Sequence, residues 1–247
     1  MKTRDLHDWN VGYADAVLLQ ERIRKRILLR DRKTRRGVRL VAGADVSYAR
    51  GSDLFYAAVV LLSFPEMEVL SSAWHRARVH FPYIPGLLSF REGPPLLAAF
   101  AKLATPPDVV FFDGQGIAHP RGVGLASHIG LWLDVPSIGC AKTRLVGTHA
   151  PVGQRAGDAS PLVVEGRVVG TALRTKDRVK PVFVSPGHRI RLETAISLSL
   201  TCCRGYRIPE PVRQAHLLVN RLRIEDRDSP RQPEEGGFQN SVARARR

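Results

Sequence analysis

With 247 residues the chain has length for one globular domain that buries a core around a central sheet, and one domain rather than two is expected. Lys and Arg number 38 against 23 Asp and Glu, a formal charge of +15, so a polyanionic partner, nucleic acid before all others, is favoured through counterion release. The longest apolar run, Tyr56 to Phe64, falls far short of the roughly 20 residues needed to cross a bilayer, which argues against a membrane role.

The polar opening Met1 to Asp5 leads to no apolar stretch, so no secretory signal is expected and the expected location is the cytoplasm. From Ala16 through Leu19 and Ile23 to Ile27 the apolar spacing is helical, with Arg22, Arg24, Lys25 and Arg26 on the other faces. Residues 21–40 carry ten basic side chains and two acids, a net +8, which reads either as a solvated face or as a surface that tracks phosphates. Three β-like runs follow, Val38 to Tyr48, Tyr56 to Phe64 and Val69 to Phe81, separated by turn signals, and they predict an antiparallel meander.

A helix is predicted to begin near Pro94 and run to Leu103, then a short buried strand from Val109 to Phe112 and a Gly-rich loop. Helical spacing resumes from Ala126 to Leu133, and Pro136 to Ala141 reads as another buried strand. Leu162 to Leu173, centred on Glu165-Gly166, reads as a hairpin, and Val182 to Ser185 as a further strand. Helices are expected near Arg189 to Leu200 and Pro209 to Leu222. Residues 1–225 are read as the folded unit, and the polar, aperiodic stretch 226–247 as a disordered tail. Three strands and then alternating helices and strands predict a mixed α/β layer structure, with a central sheet flanked by helices in the ribonuclease H-like manner. Cys140, Cys202 and Cys203 have neither disulfide-framework nor zinc spacing and read as small buried thiols.

Strand period two places Leu40, Ala42, Ala44, Val46 and Tyr48 on one face and Gly43, Asp45 and Ser47 on the other. A mid-strand carboxylate such as Asp45 needs a cation, a hydrogen-bond partner or water, so that face is either wet or a metal site. Asp113 ends an apolar strand before Gly114-Gln115-Gly116, a place where α/β sheets bind ligands and where an ordinary Asp-Gly turn also occurs. Glu92 precedes Gly93-Pro94-Pro95, so its carboxylate could simply favour the positive end of a helix. His216 shares a helical face with Val212 and Val219 and is expected to point inward, as a core histidine or as a site group. Three carboxylates and a histidine on separate elements suit an oxygen-rich Mg²⁺ or Mn²⁺ site.

The local contexts of these residues carry a family resemblance. Val41 to Ser47 (VAGADVS), Phe81 to Pro94 (FPYIPGLLSFREGP) and Phe112 to Arg121 (FDGQGIAHPR) resemble signatures of the endonuclease V family. Ala126 to His128, Ile138 to Lys142, Val184 to His188 and Arg207 to Pro211 leading to His216 extend the similarity over roughly Leu6 to Leu222. The resemblance implies a ribonuclease H-like core whose Asp45, Glu92, Asp113 and His216 match the family's active-site positions. Asp45 and Asp113 would be the main ligands of Mg²⁺, with Mn²⁺ as substitute. Glu92 and His216 would complete the site, and Lys142 would steady phosphate charge. Pro82, Tyr83 and Ile84, with Pro85, match the family's wedge, which fills the gap left by an extruded nucleotide. Gly86, Leu88, Gly114, Gly116, His119, Leu125 and Gly139 match its base pocket, although His119 by itself could equally stabilise a turn, and His128 reads as helix packing. The implied activity is Mg²⁺-dependent hydrolysis of the second phosphodiester bond 3′ to a deaminated base in DNA, by a monomer. The rival reading is a non-catalytic or RNA-directed inosine-binding protein.

Overall fold

The parallel pairing of two buried strands organises the computed structural model, which describes residues 1–32, 37–228 and 236–240. Helix α1 (Tyr13–Arg24) leads into a meander of β1 (Leu40–Tyr48), β2 (Leu54–Ser63) and β3 (Val69–Arg78), antiparallel as expected. After α2 (Leu88–Ala101), strand β4 (Val109–Phe112) enters beside β1 in parallel, and after α3 (Leu125–Leu133), β5 (Ser137–Ala141) enters beside β4, also in parallel. The strands β6 (Ala159–Val164), β7 (Arg167–Leu173) and β8 (Val182–His188) complete one side antiparallel, then α4 (Leu192–Thr201) and α5 (Glu210–Asp228) follow. The sheet order is β6-β7-β8-β5-β4-β1-β2-β3-β9, the ninth strand being Gly236–Asn240. This is the single-domain, mixed-sheet arrangement read from the sequence. The predicted hairpin turns at Glu165 and Gly166, both with positive φ, a conformation suited to a two-residue turn.

Both sheet faces are covered, so the strands are apolar on both sides. Val41, Val109, Phe111 and Val184 pack with Ala195 of α4 and with Val212, Ala215 and Val219 of α5. Ala42, Ala44, Val110 and Phe112 pack with Leu96 and Phe100 of α2 and with Ile129 of α3. The Asp45 face of β1 is therefore not open to water along its length. At Gly43 a Cβ would lie 1.8 Å from the Pro211 carbonyl oxygen, so α5 can rest its first turn on the strand only because that residue is glycine.

Three expectations are corrected. Helix α2 begins at Leu88 and not near Pro94, and Pro94 and Pro95 lie within it. Their missing N–H groups leave the carbonyls of Phe90 and Arg91 without the usual helical donors, a cost that the apolar packing of Leu96 and Phe100 offsets. Glu92 is accordingly in the second turn and buried, away from the helix start. His216 does not point inward: its side chain is 47% exposed, one position round the helix from fully buried Ala215. Nor does ordered structure stop at residue 225. Helix α5 continues to Asp228, and β9 pairs antiparallel with β3. Composition misses the continuation because the anchoring residue is an acid: Asp226 is buried, accepts from Arg76 Nη1 at 2.5 Å and from the Tyr56 hydroxyl. The remainder of 226–247, like Lys33, Arg35 and Arg36 of the basic stretch, lies outside the described residues. Among the described residues no helix is long and apolar enough to cross a membrane.

Gly43→Ala is expected to destabilise the protein by about 1–3 kcal/mol, the usual range for forced overpacking, because the added methyl meets rigid backbone. Urea unfolding measures this, and an unchanged midpoint would mean that the α5 contact is not tight.

Candidate active site

The β1–β4 register sets Ala44 opposite Phe112, so the next residues of the two parallel strands, Asp45 and Asp113, emerge side by side. The Asp113 N–H donates to the Ala44 carbonyl at 3.3 Å, which extends the ladder to the site itself. From α5, His216 Nδ1–H donates to Asp45 Oδ2 at 2.8 Å. Asp45, Asp113 and His216 offer ligand atoms that all lie within 4.8 Å of one another. From the end of β5, the Lys142 ammonium bonds Asp113. Glu92 lies outside the trio, yet close enough to feel its charge, so His216 rather than Glu92 joins the two aspartates most closely.

The electrostatics are those of crowded acids. Burial, then the charges of Asp45 and Asp113, push the Glu92 carboxyl up to about 8. Burial and the Asp45 charge also hold Asp113 above the usual carboxylate range, and Lys142 opposes that rise. Hard oxygen donors packed this closely fit a divalent cation such as Mg²⁺ or Mn²⁺, whose charge would offset the repulsion; thiolate donors are absent from the trio.

A residue missed in the sequence holds the histidine. Asn220 Nδ2 donates to His216 Nε2 at 3.1 Å and to its carbonyl at 2.9 Å, while Asn220 Oδ1 accepts from Ser47 Oγ at 3.0 Å. Arg223 Nε then donates to Ser47 Oγ at 3.0 Å. The i, i+4 spacing of His216 and Asn220 on α5 was a visible signal, but the partner Ser47 belongs to a distant strand.

Beside the acids lies a cavity of about 110 Å³. Of the expected wedge, Tyr83 and Ile84 line it, and Tyr83 is 63% exposed, while Pro82 faces a different cleft beside Phe81 and Phe90. Of the expected pocket, Gly86, Leu88, His119 and Leu125 line it. Gly114, Gly116 and Gly139 are outside the lining. A Cβ on Gly116 would lie 2.2 Å from the Pro186 carbonyl oxygen and one on Gly139 would lie 2.2 Å from Gly116 N, so these two serve close backbone stacking. A Cβ on Gly114 would sit 3.3 Å from Leu125 Cβ.

The cavity rim is clamped at one carbonyl. Gly86 O accepts from Gln20 Nε2 at 3.0 Å, His119 Nε2 at 3.0 Å and Arg121 Nη2 at 2.7 Å. His119 Nδ1 accepts the Arg121 N–H at 3.2 Å, and burial with the Arg121 charge pushes its imidazole down to about 4, so it is a neutral clasp that also lines the cavity. Gln20, fully buried on α1, was not legible as a site residue, because α1 read only as amphipathic and basic. Arg24 of the same helix reaches Gly122 in the His119 loop, which brings part of the basic stretch to the site.

The family model for endonuclease V matches residues 21–217. The chain belongs to the endonuclease V family. Endonuclease V of Dehalococcoides mccartyi is 48% identical over 222 residues, spanning 90% of this chain and 99% of that protein. The crystal structure of endonuclease V from Streptomyces avermitilis is 40% identical with a TM-score of 0.84, covering 92% of this chain and 100% of that one. A structure of Ciona intestinalis endonuclease V, in complex with a 24mer DNA containing an inosine followed by a ribo-adenosine, is 28% identical with a TM-score of 0.77, covering 86% of this chain and 98% of that one.

Glu92 yields a pH prediction. Its folded pKa of about 8 exceeds the ordinary 4.5, so the unfolded chain releases this proton first, and the group's contribution to stability is lost as pH rises between those values. In chelator-treated protein, urea unfolding should show Glu92→Gln losing less stability than wild type between about pH 5 and pH 8. The same loss in both would contradict the assigned proton.

Proposed function

We propose that this chain is a Mg²⁺-dependent endonuclease that takes a deaminated base, hypoxanthine in DNA foremost, into the cavity beside Asp45 and Asp113. In this reading it hydrolyses the second phosphodiester bond on the 3′ side, leaving 3′-hydroxyl and 5′-phosphate ends, as a cytoplasmic monomer. The observation that carries the reading is the adjacency of a converging Asp45, Asp113 and His216 to a base-sized cavity, in a family with a member solved on inosine-containing DNA.

In this mechanism Asp45 and Asp113, with His216, would hold Mg²⁺ or Mn²⁺, which supplies Lewis-acid charge at the scissile phosphate. Glu92 adds a further carboxyl and keeps its proton until a cation offsets the neighbouring charges. Lys142, partly exposed beside Asp113, brings a fixed positive charge to the edge where a phosphate approaches. Hydrogen bonds to Asp45 and Asn220 fix the orientation of the His216 ring beside the aspartates. Tyr83, exposed at the cavity mouth between two prolines, offers a flat ring to stack in the gap left by the extruded nucleotide. The basic helix α1 contributes sequence-independent phosphate attraction.

The test is a cleavage assay on matched strands carrying inosine or adenosine, as DNA and as RNA, with Mg²⁺ and with EDTA. Wild type should cut the inosine strand only with Mg²⁺, and Asp113→Asn should lower the rate by about two orders of magnitude or more while still binding the strand. Cutting that ignores the inosine, or equal turnover by Asp113→Asn, would contradict the proposal.

A further inference from the structure

Two polar side chains line the cavity without a part in the description so far, Ser89 in the first turn of α2 and Gln115 between the stacked glycines. Gln115 is 8% exposed and donates Nε2–H to the Thr143 carbonyl at 3.0 Å, which fixes the orientation of its amide. Its Oε1 is buried and, among the described residues, has no hydrogen-bond partner. A buried carbonyl left in this state is costly, and a ligand donor would satisfy it.

Ser89, 2% exposed, is tied to His128 Nδ1 at 2.8 Å, and the polarity of that bond is set from outside the cavity. His7 Nδ1 lies 2.7 Å from the Asp8 carbonyl, which can only accept, so His7 carries its proton on Nδ1. Burial lowers the pKa of both His7 and His128, which keeps the two rings neutral. His7 Nε2 is then an acceptor, and it faces His128 Nε2 at 2.7 Å, so His128 is protonated on Nε2 and accepts at Nδ1. The Ser89 O–H must therefore donate to His128. What remains on Ser89 Oγ is lone pairs.

We propose that Ser89 Oγ and Gln115 Oε1 act as acceptors for the N1–H of a 6-oxopurine, and so separate hypoxanthine from the adenine it arises from. The inference rests on the reading that this cavity receives the deaminated base. Hydrolytic deamination replaces an amino-substituted ring with a lactam: adenine N1 is an unprotonated acceptor, whereas hypoxanthine N1 bears a hydrogen. Acceptors in the wall meet a donor in hypoxanthine and a lone pair in adenine, and the orientation of both wall groups is held by Thr143 and by the His7–His128 pair.

The experiment measures affinity in Ca²⁺ for duplexes identical except for one base: inosine, adenosine, or 2′-deoxynebularine, a purine with unprotonated N1 and no substituent at C6. Wild type should prefer inosine to both. Ser89→Ala and Gln115→Met should each reduce the inosine-over-nebularine preference roughly tenfold, the effect of one hydrogen bond lost at a buried site. Wild type that does not prefer inosine to adenosine would overturn the base-reading and this inference together. Wild type that does, with variants that keep the full inosine-over-nebularine ratio, would overturn the inference alone. So would variants whose affinities for inosine and nebularine fall equally, because that is the signature of a residue that only packs the cavity wall.

Discussion

The site depends on the parallel pairing of β1 with β4, which forces two carboxylates into adjacent positions on central strands of a covered sheet. Like charges so placed repel one another, and burial strengthens the repulsion. The structure meets it with specific partners: His216 on Asp45, Lys142 on Asp113, and a proton retained on Glu92. Each partner comes from a different element, so the helices α2 and α5 and the strand β5 must all dock correctly for the acids to coexist. Gly43 shows how tightly the docking is drawn, since α5 meets β1 at the one residue without a side chain.

Chemistry and recognition are divided between sheet and loops. Asp45 lies within β1, Asp113 directly after β4 and Glu92 in the second turn of α2, so regular backbone hydrogen bonding holds the acids in place. The cavity is built from the turns around Gly86 and His119, and these gain rigidity from a single carbonyl that takes three donors. Gln20 and Arg121 join that clamp to α1, so the helix that presents basic residues to solvent also fixes the cavity rim. In the proposed function, phosphate attraction and base reading are thereby mechanically connected through one short helix.

The sheet was largely legible because its strands are apolar on both faces and bounded by turn signals, and Val109 to Phe112 was read to the residue. Elements whose ends are set by tertiary contacts were not. Pro94 and Pro95 pointed to a helix start, yet the helix begins six residues earlier, with its apolar face packed into the core. Asp226 read as part of a polar tail, yet it is buried on Arg76 and Tyr56, a pairing that spans sequence distances no local pattern records. The positions of Asp45 and Asp113 were legible one at a time as strand carboxylates, but their adjacency follows from register, which the sequence does not display. Gln20, Ser89 and Gln115 were invisible as site residues for the same reason: each acts through a partner far away in the chain. His216 was misdirected inward because helical periodicity places it near Val212 and Val219 but cannot say which edge of the stripe overhangs a strand end.

The central claim is that Asp45, Asp113 and His216 form a divalent-cation site, and Mn²⁺ binding followed by electron paramagnetic resonance tests it without any substrate. Wild type should take up Mn²⁺ in a form that Mg²⁺ displaces, and Asp45→Asn and Asp113→Asn should each weaken that binding by at least about tenfold. Undiminished Mn²⁺ affinity in both variants would contradict the account.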